Sequence, residues 1–368
     1  VIAFAPLDFG CFARDFVHAR DLFRAAAGEA GFLAARIDNP NPGPRGEQLS
    51  TDVAWKGPDD ARAVLVTVSA THGAEGFCGS GAQVDWLRAH GRDPLPDGVA
   101  VLMVHAINCH GFAWLRRVTE EGVDLNRNFV DFTQPLPVNT GYEALRDAFV
   151  PRELSGPAFA AAEDRIRAWR AEHGERAFQI ARSGGQYTHA QGFFYGGAGP
   201  TWARRTLEGI VDSYRLADRE LVAVIDYHTG LGPFGYGELI CDHTLDSPNV
   251  VRVQRWYGES VTQPQLGTSS SVPKTGLSEI GWERMLGDRV SSCAIEYGTY
   301  SPERGRRALR EDHWLHAYGR PDFDDPETLR IKAQIKKQFY PESDDWHEMV
   351  LVRSRQVIRQ ALAGLAEG

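Results

Sequence analysis

Two histidines and a glutamate are the side chains of this sequence best suited to chemistry. His72 and Glu75 stand three apart in Thr71-His72-Gly73-Ala74-Glu75, and His228 follows an apolar run in Asp226-Tyr227-His228-Thr229-Gly230. Two imidazoles and one carboxylate form a catalytic zinc set, because three protein ligands leave the fourth position of a tetrahedral ion open to water. Between them in sequence, Asp124-Leu125-Asn126-Arg127-Asn128-Phe129 gathers a carboxylate, two amides and a guanidinium. A guanidinium fork binds a carboxylate through two parallel hydrogen bonds, so this fragment points to an anionic substrate. Together the three fragments point to hydrolysis of an amide or ester by metal-activated water.

Taken singly, each fragment is weak. His18 with Asp21, and His90 with Asp93, repeat the spacing of His72 and Glu75 and receive no role. A solvated helix face accounts for any such pair. A core histidine bonded to the backbone accounts for His228, and a structural ion-pair cluster accounts for 124–129. Position along the chain favours the chemical reading. Residues 63–69 (AVLVTVS) form a buried strand that runs straight into the His72 loop. Residues 99–105 (VAVLMVH) are a second buried strand, 221–227 (LVAVIDY) a third that delivers His228, and 291–297 (SSCAIEY) a fourth. Helical stretches separate them, including 80–90 after the His72 loop. The expected fold is α/β, a central mixed, mostly parallel twisted sheet with helices on both faces. Ligands collect beyond the carboxyl ends of such strands, where His72, His228 and Asn108 fall.

The remaining elements are expected as follows. A helix spans 17–30 and stops at Gly31. Two short strands, 32–37 and 49–55, flank a Pro- and Gly-rich turn at 39–44. The segment 130–220 has no central-strand pattern, is helical at 142–150 and about 158–172, and reads as an insertion beside or over the pocket. Residues 303–366 read as surface helices. The whole, 1–368, reads as one domain.

Composition narrows the partners. A net charge of -9 argues against a general nucleic-acid binder. Five scattered cysteines do not form a disulfide framework and favour a reducing compartment. The first residues, from Val1, carry no leader pattern, and no apolar run reaches the roughly 20 residues that span a bilayer. The expectation is a cytoplasmic protein that binds neither nucleic acid nor membrane.

His72-x-x-Glu75, Gly122-Val123-Asp124-Leu125-Asn126-Arg127-Asn128-Phe129, His228 and Glu296, in that order, resemble the zinc carboxypeptidase superfamily. Asn108-Cys109-His110-Gly111-Phe112 is similar to that family's Asn-Pro-Asp-Gly-Phe segment. The wording around His72-Gly73-Ala74-Glu75-Gly76-Phe77, Leu115-Arg116-Arg117-Val118-Thr119 and Gly184-Gly185-Gln186-Tyr187 resembles a bacterial branch known only as a domain of unknown function. The resemblance covers roughly residues 63–300. It implies one zinc ion held by His72, Glu75 and His228, and Glu296 as general base. It implies Arg117 as the oxyanion-stabilising arginine, with Arg116 adjacent and not separable by sequence. Asn126 and Arg127 would hold a substrate carboxylate, and Asp124 would orient the first histidine. The implied substrate is a small peptide, or an acyl-amino acid of the kind taken by aspartoacylase and succinylglutamate desuccinylase, with a free carboxylate. A pseudoenzyme that binds a carboxylate-bearing ligand without turnover is the alternative from another class. The chain departs from digestive-type members at their mobile tyrosine: Tyr236 and Tyr257 lack its context, and 269–276 occupies the place of its loop.

Overall fold

The computed structural model describes residues 5–368; residues 1–4, part of the stretch read for a leader pattern, lie outside the described residues. In chain order the strands are β1 (Leu33–Pro42), β2 (Gln48–Lys56), β3 (Ala63–Val68), β4 (Val99–His105), β5 (Leu221–Phe234), β6 (Gly237–Ile240), β7 (Val261–Thr262) and β8 (Val290–Gly298). The helices are α1 (Phe16–Glu29), α2 (Gly76–His90), α3 (Cys109–Ala113), α4 (Thr140–Phe149), α5 (Gly156–His173) and α6 (Glu175–Ser183). They continue with α7 (Trp202–Ser213), α8 (Pro248–Tyr257), α9 (Ser278–Leu286), α10 (Pro302–Tyr318), α11 (Pro326–Phe339) and α12 (Asp344–Glu367).

The eight strands form one sheet in the order β1-β2-β4-β3-β5-β8-β6-β7. The central strands β4, β3, β5 and β8 run parallel, while β1 and β2 on one side and β6 on the other pair antiparallel. The central strands are apolar on both faces because both are covered. Leu65, Val101 and Ala223 face a core shared with α1, α2, α8 and α12. Their neighbours Val64, Val66, Leu102 and Val224 face a second core with α7 and α9. This alternation is the period-two consequence of the pleat. The fold class is therefore the α/β mixed sheet expected from the strand pattern.

Three local departures have physical causes. β1 runs on to Pro42 through a register shift, so the turn falls later than 39–44. β5 continues past His228 to Phe234, held on one side by β8. The C-terminal helices are not surface elements: Trp346, Val350, Leu351, Val357 and Ile358 of α12 are fully buried against the sheet. Their apolar stripe is diluted by arginines that are themselves buried, such as Arg355 on Asp85, and this hid the core face.

The segment 130–220 supplies α4 to α7. Among the described residues it joins the sheet nowhere, and its one bridge pairs Gln186 with Tyr195. Tyr142, Leu145, Phe149, Ile166 and Phe178 from α4–α6 share a third apolar cluster with Leu309 of α10 and Phe339 of α11. This layer lies over the carboxyl ends of the central strands.

Candidate metal centre and substrate cavity

The end of β3 is built to present two side chains at once. Ala70 takes a left-handed φ of 61° just past the strand, and a one-turn 3-10 segment, Gly73–Glu75, leads into α2. Gly73 is required sterically, since a Cβ there would lie 2.0 Å from the Gly111 carbonyl carbon. The carbonyls of Arg116 and Arg117 accept from Ala74 and Gly73 backbone N–H, at 2.7 and 3.2 Å, and fix the loop.

β3 ends at Val68, which pairs with Asp226, so His228 two residues further on faces open space although it lies inside β5. Register then sets its neighbour: His228 stands beside Glu296 on β8. The two functional candidates share one face of the sheet because parallel partners point the same way.

His72, Glu75 and His228 converge, with donor atoms all within 4.8 Å of one another. All three are buried. His72 Nδ1 lies 3.2 Å from His228 Nδ1 and 3.0 Å from Glu75 Oε1, and His228 Nδ1 lies 3.4 Å from Glu75 Oε2. Donors around a tetrahedral ion with bonds of about 2.0–2.1 Å lie about 3.3–3.4 Å apart, and the observed edges match that size. The far ring nitrogens meet carboxylates. His72 Nε2 is 3.1 Å from Asp124 Oδ1, and His228 Nε2 is 3.1 Å from Asp226 Oδ2. The second contact has ion-pair distance but not hydrogen-bond alignment. Such outer carboxylates fix which nitrogen faces a metal. Charge fits too: Glu75, Asp124 and Asp226 touch the cluster against a single guanidinium, Arg117, an excess that a divalent cation balances. The residues present fit a metal ion.

Asp226 is a site residue that sequence reasoning named only as part of a fragment. Thr71 and Ser278 hydroxyls donate to it at 2.8 and 3.2 Å. Its signal was the two-residue offset from His228, which an alternating strand does not ordinarily read as contact.

Arg117, not Arg116, faces the cluster. Its Nη1 donates to Glu75 Oε1 and its Nε to Asp124 Oδ2, both at 2.9 Å, and Nη2 lies 2.8 Å from His72 Nε2. Arg116 turns the other way and pairs with Asp312 of α10 at 3.1 Å. Burial disfavours the Glu75 carboxylate, but His72, His228 and Arg117 outweigh it and hold its pKa below the ordinary range. Asp124 is likewise held low against burial, chiefly by Arg117.

Glu296 sits outside this cluster and accepts from Leu231 N–H at 3.0 Å. Burial, with the Glu75 charge nearby, pushes its pKa up to about 7. Arg127 and Asn126 lie on the 3-10 turn Leu125–Arg127, capped by Asp124, whose Oδ1 accepts from Asn126 N–H. Arg127 spends its Nε and Nη2 on the Ser183 carbonyl, at 3.1 and 2.7 Å, and its Nη1 on the Asn126 carbonyl at 2.5 Å. Burial lowers its pKa to about 10. Asn126 Oδ1 accepts from Ser278 N–H at 2.7 Å.

These residues open on one cavity of about 360 Å³, within the range of small-ligand sites. The 130–220 segment gives it Phe193 and Phe194, and α10 and α11 give it Leu309 and Phe339. Phe194 packs on both Arg117 and Arg127, 5.0 and 5.3 Å from the guanidinium carbons. The 269–276 loop contributes Lys274, whose pKa burial lowers to about 8. Tyr236 is half-exposed, and Tyr257 is buried in the α8 core. His90 and Asp93, the look-alike pair, form a partly exposed contact at 3.1 Å.

The fold and the site define an α/β protein with a buried His-Glu-His candidate metal centre at the mouth of its parallel strands. The chain belongs to the DUF2817 family, proteins of unknown function, whose pattern it matches over residues 12–353. No curated protein matches it in sequence. Among solved structures it is similar to thrombin activatable fibrinolysis inhibitor, at 11% identity over 96% of this chain and 74% of the other, with a TM-score of 0.44. A succinylglutamate desuccinylase/aspartoacylase from Rhodobacter sphaeroides shows 16% identity over 78% and 65% of the two chains, TM-score 0.36. Glutaminyl cyclase from Porphyromonas gingivalis shows 11% identity over 93% and 88%, TM-score 0.37. No helix among the described residues is long and apolar enough to cross a membrane.

Proposed function

We propose that this chain is a zinc-dependent hydrolase that releases a C-terminal residue from a small peptide or peptide-like amide. The observation that carries the reading is the His72, Glu75 and His228 donor set with a separate, raised-pKa carboxylate, Glu296, beside it in one cavity. His72, Glu75 and His228 would hold one zinc ion, which supplies Lewis acidity for carbonyl polarisation and water activation. Glu296 Oε2, free of the Leu231 bond, takes the proton of the attacking water and returns it to the leaving nitrogen. Arg117 offsets negative charge that develops on the carbonyl oxygen. Asn126 and Arg127 bind the substrate carboxylate with the donor positions that the Ser183 and Asn126 carbonyls leave over.

The cavity gives a second reading some support. Phe193 and Phe194 from the insertion close a volume better suited to an N-acyl amino acid than to a long peptide. Deacylation uses the same residues and the same carboxylate. We read 1–368 as one domain with 130–220 inserted, and place it in the cytoplasm because its five cysteines are buried and unpaired.

The test is a substrate panel in matched pairs, free acid against amide at the terminal carboxylate. Free acids are expected to react and amides to lose at least tenfold in kcat/KM, the scale of one charged hydrogen bond. Equal rates on the pairs would remove the carboxypeptidase reading and leave a metal-dependent amidase.

A further inference from the structure

Arg182 and Arg306, which line the cavity, belong to an arrangement of charges that the proposed reaction does not use. α5, α6 and α10 bring Arg170, Arg182, Arg306 and Arg310 together with Glu163, Glu175 and Glu303. Three acids serve three of the arginines. Glu163 binds Arg306 and Arg310, Glu303 also binds Arg306, and Glu175 binds Arg170. Arg182 has no carboxylate within ion-pair distance among the described residues. The acids near enough to influence it, Glu175 and Glu303, are those already paired to Arg170 and Arg306.

Arg182 is also short of hydrogen bonds. Among the described residues its Nε is buried without a hydrogen-bond partner, and its guanidinium carbon lies 5.8 Å from the Phe178 ring. Burial and the Arg306 charge lower its pKa to about 10. A cation in the last turn of a helix gains from the helix dipole. That gain explains its sequence position but not a guanidinium lodged in a cavity wall with a buried donor unmet, which costs free energy. Arg182 lines the same cavity as the metal cluster. The residue after it, Ser183, gives its carbonyl to Arg127 at 2.7 Å, and Arg127 and Arg182 both line the cavity.

We propose that Arg182 is a specificity-determining residue that binds a second carboxylate, on the side chain of the residue released, so that the substrate's terminal residue is an acidic amino acid. The inference rests on the proposed hydrolase reading for the word "released", and on the charge arrangement for the rest. Arg127 and Asn126 hold the α-carboxylate. Arg182, in the same cavity, meets the side-chain carboxylate with the planar fork that favours planar anions. The unused cation offsets the repulsion that an acidic protein of net charge -9 exerts on a dianionic ligand.

The probes are L-glutamate and L-glutamine, equal in shape and different by one charge, bound to the zinc-loaded full chain in a calorimeter. Wild-type protein is expected to bind glutamate about tenfold or more tightly than glutamine. R182Q is expected to bring the two within about twofold, and R182K to restore part of the difference. R182Q breaks no ion pair, and an unchanged melting temperature shows that it is folded. Affinities within twofold for wild type, a preference that survives in R182Q, or no measurable glutamate binding would each overturn the proposal. Hydrolysis of N-acyl-L-glutamate is followed in parallel. Selective binding without turnover would sink the hydrolase reading and leave Arg182 as an acidic-ligand contact. Turnover of N-acyl-glutamate and N-acyl-glutamine at equal kcat/KM would do the reverse.

Discussion

Replacing Glu296 with glutamine is expected to separate catalysis from metal binding and from folding. The side chain keeps its shape, and its Oε1 still accepts from Leu231 N–H, now 3.0 Å away. It is outside the His72, Glu75 and His228 donor set, so metal affinity should survive. Stability should hold or rise. Burial and Glu75 raise the Glu296 pKa to about 7, so above that pH the wild-type fold carries a desolvated charge that the amide lacks. The sign follows directly: a carboxyl raised in the folded state destabilises the fold as pH climbs from about 4.3 toward and past 7. Loss of a general base costs roughly 10²–10⁴ in rate, or about 3–5 kcal/mol of barrier. The kcat/KM profile of wild type should fall on the acid side with a pKa at or below about 7, because a divalent cation beside Glu75 favours the ionised form. The assay is steady-state hydrolysis of a free-acid substrate over pH, with zinc content and melting temperature measured on the same samples. Near wild-type turnover in E296Q, at full metal content, would refute the assignment and place the base elsewhere.

Three further outcomes are expected. Asp124→Asn and Asp226→Asn should each weaken metal affinity about 10–100-fold without removing a direct ligand, measured by competition with a chelator; unchanged affinity would show these carboxylates to be structural only. Arg127→Ala should erase the preference for free acids over amides while zinc stays bound, and a retained preference would move the carboxylate site to another cation. Glu163→Gln should cost about 3 kcal/mol in a urea melt, the low end for a buried pair because Glu163 keeps 21% side-chain exposure. The Arg306 and Arg310 contacts depress its pKa to about 2, so its contribution is complete above about 4.3 and fades as pH falls toward 2; an acid limb that is the same in E163Q would contradict this.

The four parallel strands were legible because burial on both faces leaves a mainly apolar run in place of strict alternation, and β4 matches its expected span, 99–105, at both ends. β6 and β7 were not, since four and two residues carry no period to read. His72, Glu75 and His228 could be picked out because the end of an apolar run or a small-residue loop marks each of them in the sequence. Arg116 and Arg117 could not be separated, because adjacent residues differ only in which way the backbone turns, and Leu115 just before them takes a left-handed φ of 50°. Asp226 and Arg182 were passed over for a different reason. Each stands out only against its neighbours: Asp226 meets the His228 ring from two residues away on the same strand, and Arg182 is without a paired acid among the described residues only because the three nearby acids pair with other arginines.

The central claim is a single metal-dependent hydrolytic site made of His72, Glu75 and His228. Its most direct test is the hydrolysis rate of a free-acid substrate by chelator-stripped protein as zinc is returned. No activity is expected without metal, then a linear rise and a plateau at one zinc per chain, with His72→Ala and His228→Ala flat throughout. A rate indifferent to chelation, or the same plateau reached by either alanine variant, would contradict it.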